Sequence, residues 1–172
     1  MNLLAQARIA ALQARADESL TLVARGGGAA FEQDFVAVMR RLAGSDGGGG
    51  LLADARSAAT DATTRDAVAA AADHARAWLA AHQRLRALDD RGEYAAAVAI
   101  AVGGGPDTTA TLSRQLDEDL DRAIAHTSRQ FELEARGAGR ALSGADIGLV
   151  MLAALLGIAA ALGIQRRIAE YR

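Results

Sequence analysis

From Ile147 to Ile164 the chain runs 18 residues, IGLVMLAALLGIAAALGI, without a charge or a strongly polar side chain. Asp146 bounds the run on one side and Gln165-Arg166-Arg167 on the other. In a helix, 18 residues rise about 27 Å, close to the ~30 Å hydrocarbon core of a bilayer. A core helix of this length in a water-soluble protein would ordinarily keep a polar face. With Gly144 and Ala145 included, residues 144–164 are expected to form a transmembrane helix, followed by a short basic tail over 165–172. Gly144 and Gly148 make a GxxxG pair, and Ala153, Gly157 and Ala161 continue with a small residue at every fourth position. Such stripes let membrane helices approach closely, so they are candidate packing residues for a homodimer.

Arginine density suggests an orientation. The tail carries Arg166, Arg167 and Arg172 against one Glu170, whereas Arg129, Arg136 and Arg140 are spread along the approach to Ile147. The denser cationic end belongs inside, which puts the preceding residues outside. The start, MNLLAQARIA, has no basic region followed by an apolar stretch and so does not read as a signal peptide. Two readings follow: a bundle outside the cytoplasm whose upstream membrane helix is missing from this sequence, or a tail-anchored protein. We adopt the first, because a tail anchor would have to carry three arginines across the bilayer.

The rest of the chain reads as helix. There are 44 alanines, one proline and 3% aromatic residues, and all 19 basic residues are arginine. Abundant Ala, Leu, Arg and Glu favour helix, and β-branched and aromatic residues are too few for a sheet protein. Glycine runs at 26–28, 47–50 and 103–105 separate the helical patterns. Expected helices cover about 3–25, 30–42, 51–88, 93–102, and a last one that starts after Pro106 and runs into the membrane. On the first, Ile9, Leu12, Ala16 and Val23 form the stripe expected to face the core; on the second, Phe31, Phe35, Val38, Met39 and Leu42 do so. On the last, Leu112, Leu116, Leu120, Ala123, Thr127, Phe131, Glu134 and Ala138 trace a heptad-like face, with Asp107, Thr108 or Thr109 as its cap. The expected fold is an all-α antiparallel helical bundle over 1–143. In an alanine-rich core each residue buries little area, so Trp78, Phe31, Phe35 and Phe131 should carry much of its stability.

Chemistry-bearing patterns are few. The window Trp78, His82, Arg84, Arg86, Asp89, Asp90, Arg91 and Tyr94 is the richest. It is either packing and helix termination or a ligand or partner site with cationic charge and aromatic walls. Asp117, Asp119 and Asp121 imitate the start of a calcium loop, but Arg122 replaces the required glycine and Ser128 the bidentate glutamate. His74, His82 and His126 lack metal spacing, and without cysteine there is neither a thiolate zinc site nor a thiol nucleophile. The glycine runs lack the lysine and preceding strand of a phosphate loop. No serine sits in a nucleophile elbow. Neither an enzyme nor a bound cofactor or metal is expected, and a net charge of −2 gives no reason to expect nucleic acid.

Three stretches together carry a resemblance: ARIAALQARADESLTLVARG near the start, ARAWLAAHQRLRALDDRGEYAAAVAIAVG from Ala75 to Gly103, and the closing GIQRRIAEYR. The chain resembles actinobacterial membrane-anchored helical-bundle sensor proteins encoded beside glutamine-transport genes. RGEYAAAV is also similar to the mid-domain turn of four-helix-bundle chemoreceptor sensors. The resemblance implies an extracytoplasmic sensor held between two membrane helices, passing amino-acid status from a solute-binding lipoprotein to a cytoplasmic serine/threonine kinase. This sequence departs from that pattern in lacking the first membrane helix, and the resemblance assigns no ligand residues. The expected function is signal sensing or partner binding relayed through the last helix. The alternative is a passive membrane tether or oligomeric scaffold.

Overall fold

A computed structural model of the chain describes residues 2–136. The expected membrane helix over 144–164, its packing residues Gly144, Gly148, Ala153, Gly157 and Ala161, and the tail over 165–172 lie outside the described residues. Among the described residues the protein is all-α, with no strand. The helices are α1 (Asn2–Val23), α2 (Ala29–Ala43), α3 (Gly50–Ala58), α4 (Ala62–Asp90), α5 (Tyr94–Val102) and α6 (109–136). Met1–Ser128 forms one compact unit. Residues from Arg129 onward belong to a second, in which 129–136 are helical and Arg136 pairs with Glu132 one turn away. No helix among the described residues is long and apolar enough to cross a membrane.

Long-range polar contacts give the helix directions in the first unit. Thr21 lies against Gly28 and Gln13 meets Arg41, while Leu22 shares a cleft with Ala110 and Arg8 meets Asp117 and Asp121, so α1 runs antiparallel to α2 and α6. His74 meets Asp119 and Thr64 meets His126, so α4 also runs antiparallel to α6. The four long helices therefore make an antiparallel bundle, with α3 and α5 as short additions.

One expected helix is two. The pattern over 51–88 breaks at Ala59–Asp61 because Asp61 takes an extended backbone (φ −120°, ψ 159°) and caps α4. Its Oδ1 accepts from the Thr64 backbone N–H at 2.8 Å, and its Oδ2 accepts from Thr64 Oγ1 at 2.7 Å. Capping bonds of this kind compete with continuing the preceding helix. At the start of α6 the cap is Thr108, whose Oγ1 accepts from the Thr111 N–H at 3.4 Å. Gly50 closes the glycine loop before α3 in left-handed backbone (φ +66°), where a Cβ would lie 2.5 Å from the Arg41 carbonyl oxygen.

The first helix is also turned differently from expectation. Ile9, Leu12 and Val23 are 55%, 54% and 73% exposed, and Ala16 faces solvent too. The buried face of α1 is instead Leu4, Ala7, Ala10, Ala11 and Ala14, continuing into Glu18, Thr21 and Leu22. Small side chains allow α1 to lie close against its neighbours, and that close contact outweighs the area that the larger residues would have buried. Trp78 and Phe35 are fully buried as expected, but Phe31 is only partly so and Phe131 is 65% exposed. On α6 the buried face ends at Ala123; Thr127 is half-buried and Glu134 exposed.

The core falls into two apolar clusters. The larger joins Phe35, Met39, Leu42, Leu52, Val68, Trp78, Leu116 and Leu120 with the alanines of α1 and α4. The smaller is Leu22, Leu85 and Ala97, packed against Leu88, Tyr94 and Ala101. Along α1 and α4, Glu18 and His82 fall at the boundary between the two.

Candidate functional site

At that boundary, three helices bring ionisable groups together inside the bundle. Glu18 projects from α1, Glu32 from the first turn of α2, and Trp78, His82 and Arg86 from successive turns of α4. A carboxylate in a helix's first turn is favoured by the helix dipole, which suits Glu32. Gly28 lets the start of α2 lie against α1, since a Cβ there would sit 2.6 Å from the Thr21 carbonyl oxygen.

His82 lies between the two glutamates and is 3% exposed. Its Nδ1 is 2.8 Å from Glu18 Oε1, and its Nε2 is 3.1 Å from both oxygens of Glu32. An imidazole with carboxylate oxygens at both nitrogens satisfies both only when each nitrogen carries a proton, so the geometry selects the imidazolium form. Phe35 stacks on the ring at 3.7 Å between centroids, covering the cation with a π face. Trp78 meets Phe35 edge-on at 5.8 Å and donates its Nε1–H to Glu18 Oε1 at 3.1 Å. The network continues outward: Arg86 Nε lies 3.4 Å from Glu32 Oε2, and its other nitrogens reach Asp89 at 2.5 Å and Asp90 at 2.7 Å.

Burial pulls the His82 pKa down, but the hydrogen bonds to Glu18 and Glu32 and the charges of those carboxylates outweigh it and raise the value above normal. For Glu32, burial pushes upward, while the hydrogen bond and charge of His82 and the charge of Arg86 hold it below the usual carboxylate range. Chemically, the arrangement stores a proton. Both ring nitrogens are engaged, and the ring links three helices through one titratable group.

Of the window singled out in the sequence, Trp78, His82, Arg86, Asp89 and Asp90 join this network, and three residues go elsewhere. Arg84 donates to the Asp107 carbonyl oxygen, Arg91 pairs with Glu93 at the surface, and Tyr94 lies under the Arg25 guanidinium at 4.6 Å. The calcium-like aspartates hold other side chains: Asp117 and Asp121 grip Arg8, while the buried Asp119 holds His74 at 2.7 Å and Arg122. His126 lies against Asp61 and Thr64. Among the described residues no group of three or more histidines and acids could hold a metal ion.

Sequence reasoning missed Glu18 and Glu32. Glu18 follows Ala7, Ala11 and Ala14 at helical spacing, so an inward alanine face would have found it. Glu32 gives no such signal, because only the tertiary packing brings it to His82.

Two openings reach the network. A cleft of about 400 Å³ opens beside Glu32, His82 and Arg86, with Met39 and Leu79 among its walls. A second, of about 290 Å³, opens beside Glu18 between α1, α5 and the start of α6. Compared with protein families, curated proteins and solved structures, the chain matches none.

Proposed function

We propose that this chain is a membrane-anchored helical-bundle module for signal sensing or partner binding. In this reading the bundle lies outside the cytoplasm, residues 144–164 cross the cell membrane once, and the tail over 165–172 is cytoplasmic. The observation that carries the sensing part is the buried network around His82. Replacing a buried ion network by apolar side chains is often neutral or stabilising, so such a network is poorly explained as a stabiliser. A passive tether has no use for one; a sensor gains a joint whose charge state differs between helix arrangements.

The relay would run along α6, which polar contacts tie to the bundle: Arg8 to Asp117 and Asp121, and His74 to Asp119. Ion pairs of this kind re-form after the small shifts by which packed helices transmit signals. The anchor is supported by the uncharged run from Ile147 to Ile164. A solute-binding protein outside and a kinase inside enter as partners only through the resemblance. The exposed Arg84 and Arg91 are available to such a partner, whereas Arg86 serves the buried network.

The test is topology together with relay. A reporter active only in the cytoplasm is fused to Arg172 and, separately, near Gly48. Activity at Arg172 and silence at Gly48 are expected; activity at Gly48 would make this a tail-anchored scaffold. Insertion of a Gly-Ser pair after Leu142 should then abolish signalling, and unchanged signalling would refute the relay.

A further inference from the structure

The smaller cleft has a polar end that the bundle does not use. Glu18 is 5% exposed, and its Oε1 takes both hydrogen bonds described for its carboxylate, from Trp78 and His82. Among the described residues, Oε2 accepts none. Every fully buried side-chain nitrogen or oxygen among them is hydrogen-bonded, so Oε2 must retain access to the outside. Of the two openings beside the network, Glu18 lines this one, walled by Leu22, Val98, Ala101 and Val102.

We infer that this cleft binds a small amphipathic amine, with the ammonium on Glu18 Oε2 and a short alkyl chain against Leu22, Val98 and Val102. An unused carboxylate oxygen accepts but cannot donate, so the ligand's head must bring the proton. Charge favours a cation, because the network holds Glu18, Glu32, Asp89 and Asp90 against only His82 and Arg86. Arg15 also lines the cleft, but it is exposed, so its charge acts through water at high effective dielectric and weighs less than that of the buried Glu18. The volume and mostly apolar lining suit a short unbranched chain, and the Glu18 carboxylate fixes where its charged head binds. The binding stands apart from the sensing role; only its consequence, a cation placed one carboxylate away from His82, rests on that reading.

Trp78 is the one tryptophan of the chain and shares Glu18 Oε1, so its emission reports on the site. The full chain is titrated with n-butylammonium, n-butanol and n-butanoate at constant ionic strength. A saturable change in Trp78 emission is expected with n-butylammonium, at least tenfold weaker binding with n-butanol, and no saturable change with n-butanoate. Ala101→Leu, which fills the cleft from its wall, should abolish the response while the helical content measured by circular dichroism is kept. Glu18→Gln should weaken it at least tenfold, and if that variant fails to fold the Ala101→Leu comparison decides alone. No saturable response in the unmodified chain, an equal response to n-butanoate, or an unaltered response in Ala101→Leu would each overturn the assignment. None of these outcomes bears on topology or relay.

Discussion

The two apolar clusters on either side of His82 are built from the same kinds of residue but are not equivalent. The larger draws on five helices and contains Phe35, Met39, Trp78 and several leucines at 0–1% exposure. The smaller has three buried residues, Leu22, Leu85 and Ala97, and opens into a cleft beside Leu22 and Val98. Burial of large side chains is where an alanine-rich bundle gains its stability, so the larger cluster should hold the fold. The α5 end should be the part that opens first. The charged network sits at the junction, where it can couple opening at one end to order at the other.

The largest effect should come from the big cluster. Trp78→Ala removes a fully buried ring and a donor to Glu18, and is expected to cost about 3–5 kcal/mol in urea unfolding. Leu22→Ala, beside the cleft, should fall at the low end of the about 2–5 kcal/mol range for such truncations. Equal losses at the two sites would break the comparison.

The network itself comes next. His82→Phe leaves two carboxylates facing each other without their cation, and should cost about 3–5 kcal/mol. Glu18→Leu, Glu32→Leu and His82→Phe combined should be neutral or stabilising by about 1–4 kcal/mol. A triple variant as unstable as the single one would mean that the charges are structural.

A smaller effect is the pH dependence. Because folding raises the His82 pKa, its stabilisation is fully present below the unfolded value, about 6.5. It is lost as pH rises through the folded value. Glu32 is lowered, so its contribution is present above the ordinary carboxylate value and lost as pH falls through the lower folded one. Stability of the unmodified chain should therefore decline on the alkaline side, and the triple variant should lose that slope. The smallest expected change is Asp61→Ala, which removes the α4 cap; because the Thr64 hydrogen bonds hold the Asp61 pKa down in the folded chain, the variant should lose part of the fall in stability toward acid pH while keeping the alkaline slope.

How much of this was legible in the sequence depends on what each residue type reports. Composition and glycine spacing carry the helical class and most helix ends, because propensity and breakers act locally. The inward face of α1 was misread because Ile9, Leu12 and Val23 are the larger apolar residues, while alanine, which does pack inward, looks neutral. The break at Asp61 was written in the Asp61–Thr64 cap but hidden by helical alanines on both sides. Trp78, His82, Arg86, Asp89 and Asp90 share one helix and were visible as a group. Their acidic partners come from α1 and α2, so only packing could supply them.

The most direct test is amide hydrogen exchange of the full chain as pH is raised through the titration of His82, with the triple variant as control and rates corrected for intrinsic pH dependence. Protection should fall first in α5 and around Leu22 and Leu85, while the amides of Phe35, Met39 and Trp78 stay protected, and the triple variant should show no such step. Uniform loss of protection across both clusters, or the same step in the triple variant, would contradict a network that joins a stable end to a responsive one.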